Sequence, residues 1–529
     1  MQLVLMLISI LKNRIFTGYK MAQALQNLTI ASPGFGGLNT ADSPLLVPNT
    51  FASEANNVVI DTRGRIAARK GHAMVSSNGG SVLGSSDGIE HVSEFVQRNN
   101  TKIVFSGGNN KVFTGTSTLS DATPGGYTIS ANNWSACSIA DKHLLFQRAH
   151  EPLVYDASTS ALTKMTAHGS SSGTPPQAHI CLAAFGRVWA ADVSGNNYTL
   201  YWSDLLDPVD WNSGSSGSLD LSTVWPNGND QITALANHND FLIIFGKNSI
   251  LIYSGAGTPA SMTLVDTIAN IGCVARDAVV NTGSNLIYVD ESGVRSLGRT
   301  IQEKSSPIGD ISRNVNLDIK AAIASDGTNI KMVYDPNHSF IICSFPTLNN
   351  IYVFDTLFPL QDGSYRTTTW SSIEPLAFWL TNSNDLYFGV KTGLARYFGQ
   401  QDNGQKYIMS YFSHPLDFGD SSRLKMLKRL NLVTFMGSNA RVTMQYAYDY
   451  RSNFRKQAFD LPTINAGQYN ISEFNTSAEY SDSPVLINRK SIAAGGSGAV
   501  VQIGLESQVD GKEIAIQQID VQSLVGRMV

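Results

Sequence analysis

A strand–turn–strand unit recurs down the chain, and it restricts the fold more than any other feature of the sequence. Its clearest copy is the stretch 238–254, HNDFLIIFGKNSILIYS. An apolar run, Phe241–Phe245, is followed by a turn at Gly246, Lys247, Asn248 and Ser249 and by a second run rich in β-formers, Ile250–Tyr253. Two such runs separated by turn residues read as a β-hairpin. The first runs of the copies are 103–105, 144–146, 188–190, 242–244, 286–288, 340–342 and 386–388. Their partners are 111–113, 153–155, 200–202, 250–252, 294–296, 351–353 and 394–396. The copies repeat every roughly 41 to 54 residues, the period of four-stranded propeller blades. One blade cannot bury both faces of its sheet, and packing blades around an axis hides each face against a neighbour.

The expected fold is therefore all-β: a β-propeller of six or seven blades over residues 89–400. Seven units are counted; six blades plus a stray hairpin fits the same pattern. Residues 1–20 contain the apolar run LVLMLISIL, with Lys12, Arg14 and Lys20 after it rather than before it. That order does not suit a signal peptide. The preferred reading is an upstream extension outside the fold, with a short terminal helix or a membrane-touching segment as alternatives. Residues 21–88 read as a loop-rich lead-in with one small hairpin, since Ser32-Pro33-Gly34-Phe35-Gly36-Gly37 breaks helix and strand alike. Residues 401–529 hold longer strands, best formed at 430–435 and 441–448, with 499–505 and 513–521 closing the chain in period-two alternation, and read as an antiparallel β-sandwich-like domain. The inserts 212–228 and 298–317 belong on the rim, and the best helix candidate is 314–324.

Composition excludes several classes. Only 15% of the 529 residues are charged and the formal net charge is −4, which does not suit a basic nucleic-acid binder. No run reaches the length of a membrane-spanning helix. Cys137, Cys181, Cys273 and Cys343 fall singly in separate units, with no C-x-x-C, and read as buried reduced thiols. The histidines form neither H-x-H nor H-E-x-x-H, and His179 with Cys181 makes only half a zinc site. No metal or cofactor is expected.

Other candidates each have a plain structural reading. Asp204, Asp207 and Asp210 match no calcium loop and read as turn caps. Glu291, Glu303 and Glu374 are the acids a propeller glycosidase would need to pair across a pocket, yet nothing in the sequence pairs them. Two basic clusters stand out: Arg63, Arg65, Arg69 and Lys70, then Arg423, Lys425, Lys428 and Arg429. Either suits DNA phosphate or an acidic protein face, and either also suits a solvated sheet surface.

Several motifs resemble the tail nozzle (tail hub) proteins of short-tailed bacteriophages. They are Gly36-Gly37-Leu38-Asn39-Thr40, Ser43-Pro44, Ala55-Asn56-Asn57, Gly64-Arg65-Ile66 and Arg69-Lys70-Gly71 in the lead-in. Blade endings such as Tyr201-Trp202-Ser203 through Asp207-Pro208 to Trp211 are similar, as are Val333-Tyr334-Asp335 through Phe354-Asp355 to Trp370, and Leu427-Lys428-Arg429-Leu430 leading to Tyr446-Ala447-Tyr448-Asp449. Their order spans most of residues 34–529. The resemblance implies a non-enzymatic virion protein assembled in the host cytoplasm. It implies a homo-oligomer, usually a hexamer, beneath the portal and head-to-tail adaptor proteins, docking tail fibres or spikes. Double-stranded DNA would pass its lumen without sequence readout, and a chain with few cations lets DNA slide. The alternatives are a propeller glycoside hydrolase or a lectin acting on host surface polysaccharide.

Overall fold

A computed structural model of the chain describes residues 25–30, 34–84, 87–303, 310–436, 440–462 and 487–528. The extension expected at 1–20 lies outside these residues. Seven blade-sized sheets follow one another in the chain order. Blades 1 to 4 are four-stranded sheets at residues 91–121, 135–164, 178–220 and 232–269. Blade 5, at 279–296, has three strands. Blade 6, at 331–370, has four and is fused at its outer edge to a further sheet. Blade 7 combines 377–397 with His72–Met74 from the lead-in. Six of the sheets thus stand alone and the seventh is shared. The innermost strand of each blade packs on that of the next, and blade 7 returns to blade 1.

The paired runs read from the sequence are the second and third strands of these blades, as in Phe241–Gly246 and Ser249–Ser254. Their alternation serves two seams at once. Ile243 and Phe245 join the core shared with blade 5, while Leu242 and Ile244 face the core shared with blade 3. A two-residue turn whose residues both have positive φ matches the twist of a hairpin, and Asn239 and Asp240 supply it at φ 48° and 64°.

The C-terminal region is a sandwich, with the N-terminal strands built into it. One sheet holds Arg423–Met436 and Ile514–Met528 at its centre, flanked by Gln26–Ile30, Val58–Ile60, Ile66–Ala68 and Ile487–Ala493. The facing sheet continues blade 6 through Phe51–Asn56, Tyr407–Ser413, Val501–Val509 and Arg441–Tyr448 to Arg455–Asp460. Leu430, Leu432, Ile516 and Ile519 from the first meet Met409, Tyr411, Val442 and Ile503 from the second in one core. The small hairpin expected in the lead-in is real, Val58–Ile60 with Ile66–Ala68, but it is an edge of this sandwich rather than a free unit. The insert expected on the rim at 212–228 contains Gly217–Asp220, the outermost strand of blade 3. The expected helix forms as Asn316–Asp326.

The joint between propeller and sandwich leaves no room for side chains at certain points. Gly37 has φ +88°, and a Cβ there would sit 2.7 Å from the Thr367 backbone nitrogen. A Cβ on Gly71 would overlap the Gln401 carbonyl oxygen, which is backbone and cannot swing aside. Gly71→Ala should therefore cost roughly 3 kcal/mol or more, read as a lowered urea midpoint with an unchanged slope.

Candidate functional site

In a propeller the innermost strands run side by side around the axis, so their leading ends open on one mouth. Each blade contributes residues there, polar ones from blades 1 to 6. Glu90 and His91 open blade 1, Asn133 precedes blade 2, and His179 lies on the inner strand of blade 3. Gln231 precedes blade 4, Arg276 and Asp277 precede blade 5, and Lys331 begins blade 6. Ala377 and Phe378 complete the ring from blade 7.

The centre of this mouth is closed by a charge lattice. Asp277 accepts from Arg276 Nε at 2.8 Å and Nη2 at 2.7 Å, and from Lys331 Nζ at 2.5 Å. Asn133 Oδ1 accepts from Arg276 Nη2 at 2.6 Å and Lys331 Nζ at 2.7 Å. Arg276 Nη1 reaches across to the His179 carbonyl at 3.0 Å. Four blades are thereby tied at the axis. Burial alone would raise the Asp277 carboxyl; the two cations instead hold it far below the ordinary carboxylate range. Burial lowers the Lys331 ammonium, with Asp277 opposing. His179 is lowered to about 3 by burial and by Arg276.

Beside the lattice runs a chain of neutral groups. Ser93 Oγ lies 3.0 Å from His91 Nε2 and 2.9 Å from His143 Nε2, and His143 Nδ1 lies 2.7 Å from Ser138 Oγ. His143 stacks on Phe105 and Phe95 with centroids 4.9 and 5.6 Å away. Burial lowers both imidazoles to about 3.

The basic clusters divide into buried and exposed members. Arg69 is fully buried, and each of its five N–H donors is used. It meets Asp402 at 2.8 and 2.7 Å, Asn57 Oδ1 at 2.8 Å, and the Lys70 and Ser371 carbonyls at 2.8 and 2.9 Å. Its guanidinium also lies 4.2 Å from the Tyr407 ring centroid. Arg65 is buried against Asp61 and lies 4.2 Å from the Phe435 ring centroid. Lys425 is buried and donates to the Asp420 carbonyl. These three hold the fold and cannot meet DNA. Lys70 is half-buried, while Arg63, Arg423, Lys428 and Arg429 are exposed. Arg63 also lies over Phe435, on the same sheet as Arg429.

The remaining candidates do not converge. Asp204, Asp207 and Asp210 each accept from nearby turn groups: Ser215, Val209, and Asn212 with Ser213. Glu291 faces Lys247 at 3.8 Å and Glu374 faces Lys391 at 2.8 Å, on separate blades. Glu303 ends the helix Leu297–Glu303. The cysteines are all free thiols. Cys137 and Cys181, from adjacent blades, nevertheless meet and pack on one core, a pairing invisible in their spacing. Among the described residues no group of three or more His, Cys, Asp or Glu could hold a metal ion.

No family model matches the chain, and no curated protein matches it. Among solved structures, the extracellular domain of a one-component system of B. thetaiotaomicron is similar over 64% of this chain, at 11% identity and a TM-score of 0.40. This chain spans 41% of that protein's length. The WD40 domain of Neurospora crassa Pan2 is similar over 58% of this chain and 89% of its own, at 10% identity and a TM-score of 0.35. Likenesses at these levels concern fold and carry no activity.

Proposed function

We propose that the protein is a structural component of a virion, the tail nozzle of a short-tailed bacteriophage, with no catalytic role. The observation that carries this reading is where the resembling motifs fall. Asn57, Arg69 and Gly71 come from the lead-in, and Trp370 ends a blade; all meet at the joint of propeller and sandwich. Arg69 bridges Asn57 and Asp402, and the Trp370 indole N–H donates to the Val58 carbonyl at 3.1 Å. Motifs that fasten two domains into one block suit a static ring subunit.

On this reading copies of the chain form a ring, most simply a hexamer, under the portal and adaptor proteins, and tail fibres or spikes dock on its blade loops. DNA would run through the hole between subunits and not along the propeller axis, which the Arg276–Asp277–Lys331 lattice crosses. Contact would be loose and sequence-independent. The exposed Arg63, Arg423, Lys428 and Arg429 are the candidates for it, joined by the exposed Arg489 on the same sheet as Arg429. The propeller stretch 72–400 carries 18 Lys and Arg against 27 Asp and Glu, so its surface repels phosphate rather than trapping it.

Electron microscopy of the purified chain, alone and mixed with assembled portal–adaptor particles, tests the proposal. The expected result is a closed ring with a central hole in at least one of the two preparations. A monomer that neither closes nor binds the particles would overturn it.

A further inference from the structure

A cavity of about 280 Å³ opens beside the axial lattice, lined by Glu90, Ser93, Asn133, Trp134, Lys331 and Phe378 among others. At ~30 Å³ per water it holds about nine waters, enough for one small ring compound. Its charges already cancel: Arg276 and Lys331 stand against Asp277 and Glu90. Every donor of Arg276 is used within the protein, on Asp277, Asn133, Trp134 and His179. An anion would find no free guanidinium, and a cation at Glu90 would stand in the field of Arg276 and Lys331.

What remains unused is a set of single hydrogen-bonding positions on groups whose charges already balance. Lys331 has three N–H donors and directs two of them at Asn133 and Asp277. Asn133 accepts through its side-chain oxygen and keeps its amide N–H₂. The Glu90 carboxylate lies near Lys331, within its field but not bonded to it. Donors and an acceptor are thus interleaved beside the half-buried Phe378 ring, whose negative face attracts C–H groups. A compound with many hydroxyls and one apolar face satisfies all of these together, whereas water satisfies only the polar ones.

We propose that this axial cavity binds one neutral pyranose unit, with Glu90 and Asn133 taking its hydroxyls and Phe378 its C–H face. The proposal does not depend on the nozzle reading, and either can fail without the other. The test is saturation-transfer NMR on the full chain with the methyl glycosides of glucose, galactose, mannose and N-acetylglucosamine. Transfer to the ring protons of at least one glycoside is expected, with Kd in the range of about 1 mM. Glu90→Gln removes a charged acceptor and should weaken binding roughly tenfold, with an unchanged circular dichroism spectrum. Phe378→Ala should abolish it; if that variant does not fold, Glu90→Gln decides alone. No transfer to any glycoside, or equal transfer with wild type and Glu90→Gln, overturns the proposal.

Discussion

Replacing Asp277 with alanine should destabilise the propeller by roughly 3 kcal/mol, read from denaturant midpoints at neutral pH. Among the described residues, its carboxylate is the one anion bonded to both Arg276 and Lys331. Without it two cations remain side by side at a site where Arg276 is only 7% and Lys331 10% exposed. Removing one partner of a buried pair usually costs about 3–5 kcal/mol because the other charge is left unneutralised. The lower end applies here, since the Asp277 side chain is 32% exposed and water from the cavity can enter its place. Asp277→Asn should cost less than the alanine change, because the amide oxygen still accepts one bond. Lys331→Met, which removes one of the two cations with its charge, should cost less than Asp277→Ala. If Lys331→Met proves the more damaging of the two, charge balance is not what the lattice provides.

The blades were legible because their second and third strands are nearly pure apolar runs punctuated by Gly, Asn and Asp. Phe241–Gly246 and Ser249–Ser254 are buried along almost their whole length, so pattern and structure coincide. The axial site was not legible. Asn133, His179, Arg276 and Lys331 are separated by up to 198 residues, and each is an ordinary polar residue next to a short inner strand. The available signal was positional: a polar residue just before or near the start of the inner strand in blades 1 to 6. Blade 7 hid its closing strand for another reason. His72–Met74 has three residues and owes its existence to the partner Ala395–Tyr397, not to any propensity of its own.

The basic clusters illustrate a different limit. Arg63 and Arg69 look alike in sequence, yet one is exposed and the other is fully buried against Asp402, which arrives from 333 residues away. Likewise Lys425 turns inward while Lys428 and Arg429 face solvent, because the pairing of Arg423–Met436 with Ile514–Met528 shifts register between Arg423 and Lys425 and between Leu427 and Arg429. Period-two reading assigns faces only while the ladder is regular.

Between pH 6.5 and 5 the protein should lose stability through three histidines, His91, His143 and His179. His91 and His143 are buried and His179 is half-buried, and all three are held neutral down to about pH 3 in the fold. In the unfolded chain each takes up a proton near pH 6.5. The unfolded state therefore binds more protons throughout this window, and stability falls as pH falls. It is complete above pH 6.5 and declines toward pH 3. The slope is about 1.4 kcal/mol per pH unit for each histidine once the unfolded form is protonated. Carboxylates such as Asp402, which the fold holds low, add their own loss only near and below pH 4, so the upper window isolates the imidazoles. The geometry explains why the fold refuses the proton. Ser93 Oγ has one hydrogen to give, and it joins one neutral imidazole as donor and the other as acceptor. Charging the ring that accepts from Ser93 would aim two N–H groups at one hydroxyl and leave its own hydrogen unbonded. Urea unfolding of wild type and His143→Gln at pH 7, 6 and 5 measures the effect. The variant should be less stable at pH 7, having lost its stack on Phe95 and Phe105, but its decline toward pH 5 should be shallower by about one histidine's share. Parallel declines in the two proteins would mean that His143 titrates in the folded chain and that the seam between blades 1 and 2 is open to protons.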